Sequence, residues 1–296
     1  MVWGSMLAWY LFLAGLAAGA YATSAIANLK SPDSTKKLQL VGRLIAPIAI
    51  IVGLLLLIID ARAGFQNPAR FFYLLTNWNS VMTWGTAILV VFTLFAVVSL
   101  ILALLKKPIP KAFDWIGIIA AICTAVYTGV LIGVVQTYPL WNSSVLPVLF
   151  AVSAFSAGLA GTLLISTLFA HKEIENLGML KRYHFVLPIV EVVLIAGLLY
   201  MTTKRGTGSG DSVSLLLSGN LAPMFWGGLI AAGILVPIII GVFSLIMSNR
   251  SKNSEAAGAS GGVLALDAIG DIGILIGGFL LRYLILAAAI PLVFIL

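Results

Sequence analysis

Between two strongly apolar stretches the chain runs Ile59-Asp60-Ala61-Arg62, then Phe65-Gln66-Asn67-Pro68-Ala69-Arg70-Phe71-Phe72, and on to Asn77-Trp78-Asn79-Ser80. Charge, amide and aromatic groups are costly at membrane depth and persist there when they bind something. Asp60 closes one apolar stretch; Asn79 and Ser80 open the next, with Thr83 and Trp84 one turn further in. Tyr10 and Tyr127 belong to two other apolar stretches, and all seven side chains can converge on one edge of a helical bundle. The chemistry such a set suits is that of a quinone. A quinone needs an apolar cleft for ring and tail, hydrogen bonds at its two carbonyls, and groups that accept and deliver protons on turnover. Tyr127 is the strongest candidate for a carbonyl hydrogen bond and Asp60 for proton transfer. Two plainer readings stand beside these: Tyr127 as a core tyrosine bonded to a neighbouring carbonyl, and Asp60 with Arg62 and Arg70 as a tie between loop and bundle.

A second ionisable set lies in the later half. Glu191 and Arg282 fall near the middle of their apolar stretches, so both are expected to face the interior within interaction distance. Asp267, Asp271 and Arg282 recur on nearly one helix face. They form a column that reads either as structural ion pairing or as a proton path with Glu191.

These residues must be positioned by membrane-spanning elements. The chain is 61% hydrophobic and 9% charged, with a mean hydropathy of +1.13. A soluble domain is about 45–50% apolar and about 25% charged. With about 20 apolar residues per span, eight helices are predicted, over 3–28, 38–60, 80–105, 112–135, 145–170, 183–202, 223–247 and about 267–295. The first is expected to be a retained span and not a signal peptide. The net charge of +7 sits in short loops, which points to topology and anionic lipid rather than nucleic acid. Loops after odd-numbered helices hold Lys30, Lys36, Lys37, Lys106, Lys107, Lys111, Lys172, Lys181, Arg182, Arg250 and Lys252; those after even-numbered helices hold Arg62, Arg70, Lys204 and Arg205. Lysine and arginine mark the cytoplasmic side, so both termini and Asp60 are expected to be extracytoplasmic, in the cell membrane. Arg62, Arg70, Trp141 and Asn142 on that side are candidates for partner docking, while Trp78, Trp84 and Trp141 read better as interfacial anchors than as stacking partners.

Cys123 is the single cysteine, which excludes an internal disulfide and a four-cysteine cluster. His171 and His184 flank one basic loop and read as interfacial, so no haem, iron–sulfur cluster or other metal is expected in this chain. Any electron carrier is then diffusible.

The chain also repeats itself at an offset of about 140 residues. Ala18-Gly19 and Thr23 match Ala157-Gly158 and Thr162; Pro47-Ile48 matches Pro188-Ile189; Met82-x-Trp84-Gly85 matches Met224-x-Trp226-Gly227. The fold class is therefore all-α and polytopic. Its eight helices are arranged as two parallel-repeated four-helix bundles, residues 1–140 and 141–296, and the quinone site falls in the first. Small residues on helices one and five, Gly15, Ala18, Gly19 and Ala22 with Ala154, Ala157, Gly158 and Gly161, read first as close packing, with room for a flat ring as the alternative.

Several runs resemble polysulfide reductase membrane subunits, the NrfD-like family. They are Tyr10-Leu-Phe-Leu-Ala-Gly-Leu-Ala-Ala-Gly-Ala, Asp60-Ala-Arg-x-x-x-x-Asn-Pro-x-Arg-Phe, Asn79-Ser-Val-Met-Thr-Trp-Gly, Tyr127-Thr-Gly-Val-Leu, Pro139-Leu-Trp-Asn, Leu146-Pro-Val-Leu-Phe-Ala-x-Ser-Ala and Leu281-Arg282-Tyr. The resemblance implies a haem-free anchor exchanging electrons between menaquinone or ubiquinone and an extracytoplasmic iron–sulfur subunit, which serves a molybdopterin catalytic subunit. It also implies a fourth-helix tyrosine at the quinone, matching Tyr127. The chain departs from the pattern after Asp60, where Ala61 and a displaced Pro68 replace a Gly and a Pro. A secondary transporter, or an anchor without quinone chemistry, are the rival readings. The polar residues argue against a transporter because they gather at one edge of the first half instead of at matched mid-depth sites.

Overall fold

Lipid offers no hydrogen bonds to the backbone, so long apolar runs wind into helices. The computed structural model describes residues 4–60, 77–169, 178–204, 209–251 and 260–291. Its helices are α1 (Ser5–Lys30), α2 (Lys36–Asp60), α3 (Val81–Leu104), α4 (Lys111–Gly133), α5 (Val145–Phe169), α6 (Gly178–Thr203), the short α7 (Ser209–Leu217), a π-helical segment (Met224–Leu235) continued by α8 (Val236–Ser251), and α9 (Ser260–Ala287). Eight spans are long and apolar enough to cross a membrane, as predicted, and the described residues are almost all helical. The short α7 and the π segment were not predicted. The π segment is bounded by Pro223 and by Pro237, which lacks a backbone donor for the helical ladder. The last helix starts earlier, at Ser260, and ends earlier, at Ala287, than its hydropathy suggested.

α1 forms the middle of the molecule. In its span 83% of residues are buried, against 22% in α3. Large apolar side chains such as Leu94, Val193 and Ile239 point outward, whereas α1 buries Ala14, Ala17, Ala18 and Ala20. Without a hydrophobic drive between helices in lipid, small residues that allow close backbone packing hold such a bundle together. The expected packing role of the small residues is seen at Gly19 of α1 and Gly158 of α5, where an added Cβ on either would run into the backbone of the other.

α1 packs on α2, α4, α5 and α9, while α3 packs on α2 and α4. α5 packs on α6 and α9, and the seventh span packs on the same two helices. Residues matched in sequence also behave alike. Thr23 Oγ1 donates to Gly19 O and Thr162 Oγ1 to Gly158 O, each at 2.8 Å. Trp84 Nε1 donates to Trp78 O at 2.9 Å, and Trp226 Nε1 to Leu217 O at 3.0 Å.

Candidate quinone site

At the end of the bundle that carries Asp60, four helices bring two phenols together. Tyr10 of α1 is fully buried, with its ring near Gly53 of α2, whose absent side chain leaves 3.6 Å from an added Cβ to Tyr10 Cδ2. Tyr127 of α4 lies directly on Gly85 of α3, and a Cβ at residue 85 would fall inside its ring. Only glycine at 85 permits this contact. The Tyr10 hydroxyl has no hydrogen-bond partner among the described residues. It lies within electrostatic reach of Tyr127, which keeps 7% exposure. A buried phenol without a partner beside a second phenol, in apolar surroundings, fits the demands of a quinone headgroup.

Asp60 stands above this pair. Its Oδ1 is 3.3 Å from where a Cβ on Gly4 would sit, so the carboxylate lies at the N-terminus of α1. The positive end of a helix favours an anion there. Gly4 precedes Tyr10 by six residues, which is about 9 Å of helix.

The other predicted site residues divide. Thr83 is buried and donates to Asn77 O at 2.7 Å, fastening the loop to α3. Ser80 caps α3 by accepting from Met82 N at 3.3 Å. Asn79 is exposed, and its backbone N–H donates to Asn77 Oδ1. Trp84 is 55% exposed and packs edge-on to Trp78. Trp141 corrects both expectations for it. It is wholly buried, with Nε1 donating to Ile285 O of α9 at 2.8 Å, so it joins distant parts of the chain and offers no docking or anchoring surface. The turn Tyr138–Asn142 explains this, because it folds the indole inward against Tyr138 while Asn142 stays exposed. Arg62, Arg70 and His171 lie outside the described residues.

The second ionisable set is interior, as expected. Glu191, Asp271 and Arg282 are all buried. Asp267 accepts from Ser244 Oγ at 3.5 Å. His184 opens its apolar span and turns toward α9, where its Nε2 is 3.3 Å from Asp271 Oδ1, though not aligned as a hydrogen bond. Arg282 Nη1 donates to Ser153 Oγ at 3.1 Å, and the Glu191 carboxyl lies within electrostatic reach of both side chains. No direct ion pair within 4 Å joins the two among the described residues.

Sequence reasoning missed a third polar cluster. Arg43 of α2 contacts Asp114 of α4 at 3.2 Å to both carboxylate oxygens, and Asn28 of α1 donates to the same carboxylate at 2.6 Å. Arg43 and Asp114 are buried, and Tyr21 beside them lies on Gly117 as Tyr127 lies on Gly85. The signal was present: two opposite charges within or at the edge of predicted spans. Each tyrosine of the first four helices thus sits against a glycine on a neighbouring helix.

Among the described residues no group of three or more metal-ligating side chains occurs. The family model for polysulphide reductase, NrfD, matches residues 1–293. The C subunit of polysulfide reductase from Wolinella succinogenes is 34% identical over 273 residues, covering 82% of this chain and 83% of that protein. The protein NrfD homolog of Haemophilus influenzae is 30% identical, covering 97% and 94%. A more distant relative is the Hdr-like menaquinol oxidoreductase integral membrane subunit of Archaeoglobus fulgidus, 24% identical over 80% of this chain and 62% of its own length. With its two glycine-seated phenols near Asp60 and a family match running almost from end to end, the chain belongs to the NrfD polysulphide reductase family.

Proposed function

We propose that this chain is the quinone-reactive membrane subunit of a respiratory oxidoreductase complex. It exchanges electrons between the quinone pool and an iron–sulfur subunit docked on the Asp60 side, which in turn serves a molybdopterin catalytic subunit. The observation that carries this reading is the pairing of Tyr10 and Tyr127 beneath Asp60. The relative in Archaeoglobus fulgidus, a menaquinol oxidoreductase subunit, supports menaquinone as the substrate class. A quinone supplies the two-electron, two-proton couple; the chain supplies hydrogen bonds and proton transfer. Tyr127 donates to one carbonyl, Tyr10 provides a second hydroxyl, and Asp60 exchanges protons with the extracytoplasmic side. The fold serves this as two parallel four-helix halves, 1–140 and 141–296, with the site in the first. Asp267, Asp271, Glu191 and Arg282 form a separate candidate proton route in the second, now joined by His184. Both termini are extracytoplasmic, and Asn142 with Arg62 and Arg70 faces the partner.

The test is a quinone-site inhibitor titrated against the purified complex, alongside Tyr127→Phe and Asp60→Asn. Inhibition at one site per complex, and slowed quinol turnover in both variants, are expected. An intact complex that carries no quinone and ignores the inhibitor would overturn the reading.

A further inference from the structure

Arg282 is fully buried toward the end of α9's apolar span. Its guanidinium serves three helices at once. Nε donates to Leu11 O of α1 at 3.1 Å, and Nη2 donates to Phe150 O of α5 at 3.3 Å. Nη1 donates to Gly278 O of its own helix at 2.6 Å and to Ser153 Oγ of α5 at 3.1 Å. The cation also lies over the Phe150 ring, 5.2 Å from its centre. On α1 the space is left by Gly15, where an added Cβ would stand 2.7 Å from Nη2.

An arginine retained only to neutralise Glu191 would aim its planar fork at the carboxylate, the strongest arrangement open to it. Here the donors go to backbone carbonyls and a hydroxyl, and among the described residues no hydrogen bond or ion pair joins Arg282 to Glu191. The recipient on α1 matters most. Leu11 directly follows Tyr10, so the guanidinium holds the backbone one residue from a buried phenol of the candidate site. α1 is a rigid rod in this stretch, and a shift of its carbonyl at residue 11 moves the Tyr10 hydroxyl with it.

We propose that Arg282 is a positioning residue for the quinone site, fixing the height and rotation of the outer half of α1 and thereby the placement of Tyr10 against Tyr127. This rests on reading the two tyrosines as that site. Gly15 is the complementary half of the device, because its missing side chain admits the guanidinium. Lysine keeps the charge but lacks the fork that spans three helices.

The test uses the intact complex carrying Arg282→Lys, Gly15→Ala, both together, or Tyr127→Phe. Quinol KM, kcat and thermal stability are measured on each. Both single variants are expected to raise quinol KM about tenfold with kcat changed less than about twofold, the signature of lost substrate binding. The double variant is expected to be no worse than the more impaired single, because both act through one contact. Wild-type KM in both singles, with Tyr127→Phe impaired, overturns the role of Arg282 and leaves the site standing. Unimpaired turnover in Tyr127→Phe overturns the site and this proposal with it. If Arg282→Lys does not assemble, Gly15→Ala decides by the same KM. Failure of both to assemble overturns positioning in favour of a purely structural brace.

Discussion

Tyr127 and Gly85 make one close contact between two helices. Tyr127→Phe keeps the ring on Gly85 and deletes only the hydroxyl. Turnover with quinol is expected to fall about tenfold, the equivalent of roughly 1.4 kcal/mol, with an unchanged melting temperature of the purified complex. Gly85→Ala is expected to do the opposite in kind, because its methyl enters the space of the ring. Stability should drop by about 1–3 kcal/mol, with turnover lost as Tyr127 is displaced. A Gly85→Ala complex as stable and active as the parent would show that the phenol does not rest there. The Arg43–Asp114 pair behaves differently because it is a buried charge pair. Removing one partner strands the other. Asp114→Ala should therefore cost about 3–5 kcal/mol, while the double replacement Arg43→Met with Asp114→Leu should cost less than either single change. Thermal unfolding in detergent reads both.

At the level of elements, the seam between α1 and α5 depends on two glycines and no hydrophobic drive. Gly19 and Gly158 let the backbones touch, and such contacts replace water exclusion as the source of helix association in lipid. Gly158→Ala is expected to destabilise the subunit by about 1–3 kcal/mol and to spread α1 from α5. Gly197 of α6 has nothing within 4 Å of an added Cβ and serves as the control, with Gly197→Ala neutral. Equal losses in the two variants would argue that helix propensity, and not the seam, sets the effect. Trp141 is a second inter-element tie. Its indole bonds to Ile285 at the far end of the chain, where the sequence suggested a surface residue.

For the whole molecule, the loop lysines Lys30, Lys36, Lys37, Lys106, Lys107 and Lys111 lie at the opposite end of the bundle from Asp60, and the proposed orientation puts the partner subunits at the Asp60 end. In a Cys123→Ser background, a cysteine at Asn142 should react with a membrane-impermeant thiol reagent added outside, and one at Lys107 only after the membrane is opened. The reverse pattern would invert the proposed orientation and move the partner to the other side. Gly19 and Gly158, matched in sequence, meet at the centre, and their neighbouring threonines make the same carbonyl bond.

The number of spans was readable from composition because lipid leaves an apolar chain few choices besides helix. So was the polar edge of the first half, since Asp60, Asn79 and their neighbours break the hydropathy at one end of the first four spans. Periodicity along a single helix could not say which side chains meet across helices. The seating of Tyr10 near Gly53 and Tyr127 on Gly85, the inward turn of Trp141, the His184–Asp271 contact and the reach of Arg282 to Leu11 all depend on helix rotation and crossing height. These are set by backbone contacts between small residues far apart in the chain, and only the packed bundle decides them.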